Sequence, residues 1–567
     1  MSRREVLQAG MVTAAAPGFF VAQSHAENTV SAYAKVFPLL DAYVEQYMRD
    51  MNTPGMTLVL TAREGIQRVV TYGFGDIERR LPIRPEELFH IGSISKSFTA
   101  LCLLQLHDEG RLDLHRPIVE YLPWFRIDSA FAPVTAHHLL THSSGLPAYT
   151  EVFPSDPLQK HRAAHAPGEH YHYNNMAFLV LGHLAWSLDG REMPELLRKR
   201  IFEPLGMTQS EPVITLDTRD RMVKSYAAFQ RDRPLSRHGR LCEAPAIIYT
   251  GAAGSIASTP RDMGLYLQML ANHGVGPKQR LLSERSFELF ASSYIAAKKF
   301  APGSTYGYGI AIEHVEGHKV LHHLGGMPSF SSAMRVDIDA GVGAFGSINA
   351  LQGAYPTPVV EFATRLMRAQ REGKALPRVP SPVAPPTHID NAADYAGSFK
   401  SGNGRELQFV AQGQSLILLH AGSQVRLEKS ATPDRFIVPH KDFSRFMLVF
   451  GRKQPGEPNS AIVEVIWGGD WYVNSAYQGP LEFNHPREWA SYVGHYIGSM
   501  TDSSLRIVLR QGRLWLAGVT PLEPVGELFY LREEAHSPEW VRFGEVVNGR
   551  CMRLKLSGSD CWRAIDE

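Results

Sequence analysis

Apolar side chains recur along this chain with two periods, and the change from one to the other outlines the architecture. Leu40, Tyr43, Val44, Tyr47 and Met48 fall at helical spacing and predict an amphipathic helix. "GMTLVLTAREGIQRVVTYGFG" follows, two β-rich runs around Glu64-Gly65, the pattern of a hairpin. Ile94, Phe98, Leu101 and Leu104 then predict a helix from Gly92 to about Glu109, stopped by Gly110. The pattern stays mostly helical to about Leu205. Strand-like text returns in "GHKVLHHLGG", "SFSSAMRVDID" and "GVGAFGSINA". A last helix is expected to begin with Thr357 as cap and Pro358 in its first turn, with Val359, Phe362, Ala363 and Leu366 on one face. These elements predict a sheet drawn from both ends of one domain and flanked by terminal helices. A mostly helical lobe is inserted between them, and the site is expected between the two lobes.

Beyond this domain the texture changes. "LPRVPSPVAPP" (Leu376–Pro386) has five prolines in the ten residues from Pro377 and predicts an extended linker. Short alternating strands follow, and they repeat. "DYAGSF" (Asp394–Phe399) returns as "SYVGHY" (Ser491–Tyr496), and Gln412-Gly413 returns as Gln511-Gly512. Phe436 precedes Phe450-Gly451 by the interval that separates Phe529 from Phe543-Gly544. Two all-β modules, each closing into a small barrel to remove exposed edges, account for this. The expected division is a leader over 1–26, a main domain over 27–372, a linker over 373–388, and barrel modules over 389–486 and 487–567.

Composition narrows the partners. Among 567 residues, 58 basic and 57 acidic side chains leave no surplus for nucleic acid or an anionic membrane. A small-molecule or peptide partner is expected instead, and no nucleotide, since no GxGxxG loop follows a strand. The start, "MSRREVLQAGMVTAAAPGFFVAQSHAEN", has paired Arg3 and Arg4, a weakly apolar stretch and the small-x-small sequence Ser24-His25-Ala26. It predicts a bacterial twin-arginine leader, with a periplasmic or secreted mature chain beginning near Glu27 and carrying no transmembrane segment. Cys102, Cys242, Cys551 and Cys561 are too scattered for a disulfide framework or a thiolate metal site. His137, His138 and His142 in "HHLLTH" have no acidic partner or HExxH pattern, so they are read as structural. No cofactor and no metal are expected.

The candidate chemistry begins at "HIGSISKSFTA" (His90–Ala100). Ser93 falls in the first turn of a helix, where free backbone N–H groups favour negative charge, and Lys96 lies one turn further on the same face. A serine hydroxyl needs a base. Lysine can serve if burial or a nearby cation lowers its pKa, and tyrosine if cations hold its phenolate. "PGEHYHYNNMAFLVLGHLA" supplies Tyr173 and Asn175 just before an apolar helical run. "VLHHLGGMPSFSSAM" supplies His323-Leu324-Gly325-Gly326 at a strand end, where glycines let a substrate backbone approach and leave N–H groups free.

Ser93-x-x-Lys96, Tyr173-x-Asn175 and His323-x-Gly325, in that order, resemble the three motifs of the penicillin-recognising serine hydrolases, most closely the class C β-lactamase-like branch. "LLTHSSGLP", "GAAGSIASTPRDM" and "GGMPSFSS" agree, and the resemblance covers about Val36 to Gln370. The tail looks like the lipocalin-like barrels of bacterial D-aminopeptidases. The resemblance implies an α/β-type catalytic domain with a mainly antiparallel sheet. It implies Ser93 as the acylated nucleophile, Lys96 and Tyr173 as proton carriers with the primary base left open, and Asn175 as the group that positions the substrate's acyl amide and Lys96. Ser93 and Gly326 would give the oxyanion-hole N–H groups. It also implies a loop of the last barrel reaching the cleft, for which Asp502 in "GSMTDSS" is the candidate. The sequence departs from the pattern at His323, where most β-lactamases have lysine, at Asn174 in place of the usual serine, and at Ser329. A mostly neutral histidine argues against substrates with a free carboxylate. The expected function is a D-aminopeptidase-like hydrolase. A broad carboxylesterase is the first alternative, then a β-lactamase or D,D-carboxypeptidase, and last a non-catalytic cell-wall peptide binder.

Overall fold

Ten strands form the sheet of the catalytic lobe, every pair antiparallel. The computed structural model describes residues 23–25, 31–153, 160–229, 232–298, 300–351, 354–498, 504–532 and 535–565. Strands Gly55–Ala62 and Gly65–Asp76 pair with each other, and the first also pairs with Val342–Ile348. That strand continues into Phe330–Asp337 and His318–Met327, so the two ends of the domain meet in mid-sheet. Alternation along the strands decides which core each residue joins. Leu58, Leu60, Val70 and Tyr72 point to one face, packed with Leu40, Val44, Phe362 and Leu366 of helices Phe37–Asp50 and Thr357–Arg371. Val59, Val69 and Phe345 point to the other, into the core of the helical lobe with Phe98, Leu101 and Tyr266. Thr357 is the first residue of its helix rather than the cap, which is Pro356. Proline in the first turn needs no N–H partner, so the helix starts without a side-chain cap.

The helix after Ser93, Ser95–Asp108, is buried on nearly every side, including Lys96, Phe98, Leu101, Leu104 and Leu106. It is the central helix of the lobe rather than an amphipathic surface helix. That position takes Lys96 out of water.

The expected leader lies outside the described residues except for Gln23–His25, whose backbone pairs with Val69–Thr71 at the sheet edge. No helix among the described residues is long and apolar enough to cross a membrane. The proline-rich segment is laid on the catalytic lobe, not free. Val383 donates its N–H to Asp50 and Ala384 accepts from Arg237.

The tail forms a nearly closed nine-stranded sheet, from Gly397–Lys400 to Asp470–Val473, then a closed barrel of eight strands from Gly494–Gly498 to Ser559–Arg563. The sequence repeat reappears as a repeated aromatic triad. In the first module Phe436 meets Tyr395 and Phe450 edge-on at 4.9 and 5.5 Å between centroids. In the second Phe529 meets Tyr492 and Phe543 edge-on at 6.1 and 5.3 Å. The third pair differs, Tyr395 and Phe450 meeting edge-on and Tyr492 and Phe543 stacking at 4.2 Å, and each such contact is worth about 0.5–1.5 kcal/mol beyond burial. Both modules dock on the catalytic lobe, the first through Arg233 to Ser444 and Ser236 to Glu428, the second through the loop that precedes Tyr173.

Candidate active site

Ser93 sits in a single tight turn, Gly92–Ile94, that opens the buried helix Ser95–Asp108. Two glycines bring a strand edge directly against this turn. Gly92 has φ +53°, and a Cβ there would lie 2.8 Å from the backbone N of Gly326. A Cβ on Gly325 would lie 1.9 Å from the Ile91 carbonyl oxygen, so no other residue fits without moving the backbone. Met327 pairs with Phe330 and Gly326 with Ser331. The alternation of an antiparallel ladder then leaves the Gly326 N–H unclaimed by that strand. On the opposite side, strand Ala311–Val315 ends its pairing at His322. The Ser93 N–H is one of the helix-start donors without an intrahelical acceptor. The site thus presents two free backbone donors on facing elements.

Lys96 Nζ donates to Ser93 Oγ at 3.0 Å and to the Ala253 carbonyl at 2.7 Å. It also lies 4.9 Å from the Tyr173 ring centroid. Lys96 has no accessible surface, and burial holds its pKa well below the ordinary lysine range. Tyr173 moves the other way: burial raises its phenol, opposed by a side-chain hydrogen bond with Ser93. Two carriers of opposite resting state therefore flank one hydroxyl, an amine that favours its free base and a phenol that keeps its proton.

His323 is 1 % exposed, and burial, reinforced by Lys96, lowers its pKa to about 3. Its Nδ1 donates to the Leu324 carbonyl at 2.6 Å and its Nε2 accepts from the Tyr306 hydroxyl at 2.8 Å. Both nitrogens are engaged and the ring is neutral. His322, its neighbour, turns to Ser304 and Glu313 instead, as strand alternation requires.

Asn174 and Asn175 divide the roles expected of the second motif. Asn175 opens helix Asn175–Asp189 and is exposed, and Lys96 is held not by Asn175, as expected, but by Ser93 Oγ and the Ala253 carbonyl. Asn174 is fully buried: it caps that helix by accepting from Ala177 N–H at 2.9 Å, and its amide donates to the Leu146 and Pro147 carbonyls. A serine could cap but could not reach both carbonyls, which accounts for the departure at this position. Asn174→Ala is expected to lower stability by about 2–4 kcal/mol, from the lost cap and two orphaned carbonyls. Asn174→Ser is expected to keep the cap and lose less. Thermal unfolding of the three chains checks the order.

The histidine cluster in "HHLLTH" resolves into separate tasks. His138 completes a capping box with Thr135, His137 bonds the Tyr308 hydroxyl, and His142 joins the site. Its Nδ1 accepts from Asn174 N–H at 3.0 Å, its ring lies 4.4 Å from that of Tyr173, and burial holds it well below the usual histidine range. His142, Tyr306 and the Ala253 carbonyl were not legible as site groups. Ala253 lay inside the family-like stretch "GAAGSIASTPRDM", the one signal that could have found it. Among the described residues, the one histidine–carboxylate group with ligand spacing is His420, His440 and Asp442, outside the catalytic lobe and without a buried member. Asp502 lies outside the described residues.

This fold and the order of these motifs are those of the penicillin-recognising serine hydrolase family. The chain belongs to the Beta-lactamase family, whose family model matches residues 40–367. It is 24% identical over 387 residues to a penicillin-binding protein of Bacillus subtilis (strain 168), covering 63% of this chain and 82% of that protein. It is 27% identical over 194 residues to a beta-lactamase of Providencia stuartii, covering 33% of this chain and half of that enzyme's length. Among solved structures it is similar in fold to an octameric penicillin-binding protein homologue from Pyrococcus abyssi, with TM-score 0.53, 23% identity, and coverage of 77% of this chain and 100% of that one.

Proposed function

We propose that the chain hydrolyses small amides or peptides through an acyl-enzyme on Ser93, most like a D-aminopeptidase. The observation that supports this most is the fully buried Lys96, with Nζ 3.0 Å from Ser93 Oγ and no accessible surface. As a free base, Lys96 keeps an N–H for the Ala253 carbonyl and a lone pair for the Ser93 proton. Ser93 Oγ attacks the substrate carbonyl as its proton passes to Lys96. The developing oxyanion is met by the N–H groups of Ser93 and Gly326. Tyr173, still protonated, gives its proton to the leaving group and is reprotonated from Lys96. Water then cleaves the ester by the reverse sequence. Asn175, exposed at the helix start, is assigned the bond to the substrate's acyl amide.

The neutral His323 bears on substrate charge. With both ring nitrogens occupied and a pKa near 3, it offers no cation to a substrate carboxylate. That favours uncharged groups around the scissile bond and supports the broad carboxylesterase as the second reading.

The test is a panel of D- and L-amino-acid amides, short-chain esters and nitrocefin, with fluorophosphonate labelling mapped by peptide mass. The label is expected on the peptide containing Ser93, with amides or esters turned over at least about tenfold faster than nitrocefin, the magnitude of one missing charge contact in a partly dry cleft. Labelling elsewhere, or none, overturns the acyl-enzyme reading; nitrocefin as the best substrate overturns the role given to His323.

A further inference from the structure

The second β-module enters the catalytic lobe with one buried carboxylate. Glu539 is 3 % exposed, although it belongs to a chain segment 367 residues away from the partner it meets. Its Oε1 accepts from the Ala148 N–H at 2.6 Å and from His172 Nε2 at 2.7 Å, and its Oε2 accepts from Ser557 Oγ at 2.6 Å. Both partners in the catalytic lobe bracket Tyr173. His172 precedes it directly. Ala148 follows Pro147, whose carbonyl is held by the Asn174 amide. On the inner side, His142 accepts from the His172 N–H through its carbonyl at 2.8 Å and from the Asn174 N–H through Nδ1 at 3.0 Å. The Tyr173 backbone is therefore fastened to His142 on one flank and to a carboxylate of the barrel on the other.

We propose that Glu539 is a positioning residue: the second β-module completes the catalytic site by fixing the Tyr173 segment through His172 and Ala148. The proposal rests on the reading of Tyr173 as a proton carrier. Without the carboxylate, the Ala148 N–H and His172 Nε2 are buried or half-buried donors with no acceptor, and the loop must move to find one. A displacement of about 1 Å at a reacting group is enough to cost up to about a hundredfold in rate. The docking itself has other supports: Ser559 Oγ donates to the Tyr149 carbonyl at 2.8 Å, the rings of His536 and His170 stack at 3.7 Å, and Arg506 pairs with Asp232. Glu539 can thus be changed while the module stays docked. Glutamine keeps a carbonyl for Ala148 and His172 and can turn its amide to the Ser557 oxygen, so it preserves the geometry without the charge.

The experiment uses the full chain and the best substrate of the panel, with kcat normalised to phosphonate-titrated sites. Glu539→Ala is expected to lower kcat about tenfold or more with KM within about twofold, and Glu539→Gln to recover most of that loss. His172→Gln, altered on the other side of the same bond, is expected to lower kcat as well, and combining it with Glu539→Ala to add little. A merely structural contact would lower the unfolding temperature and the titratable fraction but leave normalised kcat unchanged, and that result overturns the proposal. Additive losses in the double variant, or a glutamine variant as impaired as the alanine one, overturn it too. Wild-type kcat in Tyr173→Phe would instead remove the underlying reading of Tyr173, and the proposal with it.

Discussion

Ser93→Ala is expected to turn over substrate at less than about a hundredth of the wild-type rate and to take no phosphonate label, while unfolding at the wild-type temperature. The change removes one oxygen from a side chain that is only partly buried at the cleft. Lys96 loses one of its two hydrogen-bond partners and keeps the Ala253 carbonyl, and no cavity opens in the core behind the turn. Substitutions of that kind stay within about 0.5 kcal/mol in stability. The rate effect is far larger, because no neighbouring group can replace the nucleophile: Lys96 is fully buried and the Tyr173 phenol is held in its protonated state by burial. Tyr173→Phe keeps the ring against His142 and deletes only the hydroxyl, so a loss of about 10²–10⁴ in kcat with little change in stability is expected. Steady-state kinetics with labelling and thermal unfolding on the same preparations decide the matter. Residual turnover in Ser93→Ala above a hundredth of wild type would remove Ser93 from its role.

Most of the architecture was legible because its elements state their period locally. The helical spacing of Leu40–Met48 names both the element and the face it buries, while the continuous apolar run Leu58–Leu60 names a strand buried on both faces, its residues divided between two cores. The repeated Tyr395 and Tyr492, with their paired phenylalanines, mark two copies of one module in the sequence itself. The site was legible as a set of motifs, since Ser93, Lys96, Tyr173 and the His323–Gly326 stretch do converge. What the sequence did not carry was everything set by long-range packing. That Asn174, not Asn175, is the buried member of its pair depends on where the Leu146–Ala148 loop happens to pass. That His323 has no nitrogen to spare depends on Tyr306, from a strand end two positions across the sheet. Glu539 has no local signature at all. A single glutamate beside Ser537 and Trp540 reads as solvated surface until the barrel is placed against the Tyr173 loop.

The chain is expected to lose stability steeply as pH falls from about 6.5 toward 4, because several imidazoles are buried neutral. His90 and His323 are both held near a pKa of 3, His90 by burial and His323 by burial with Lys96 adding to it. His142 is held well below its ordinary value by burial, with Lys96 again adding. In the unfolded chain these groups titrate near 6.5. Above that pH neither state binds their protons, and they make no pH-dependent contribution. Below it the unfolded chain takes up protons that the folded chain refuses, so the unfolded state gains by up to about 1.4 kcal/mol per pH unit for each histidine, until the folded pKa is reached. Three such groups give at most about 4 kcal/mol per pH unit, enough to exhaust a stability of about 5–15 kcal/mol within a few units. The arginine-paired carboxylates of Glu64, Glu109 and Asp434, all lowered, push the same way at lower pH, while Asp262, raised by burial, opposes them. Unfolding midpoints measured between pH 7.5 and 4.5 are expected to fall continuously below pH 6.5. The His90 ring lies tilted against Phe330 at 4.6 Å and outside the proposed proton relay, so His90→Gln is expected to flatten the slope by about one proton. A midpoint constant from pH 7 to 5, or an unchanged slope in His90→Gln, would mean that these rings accept protons inside the fold.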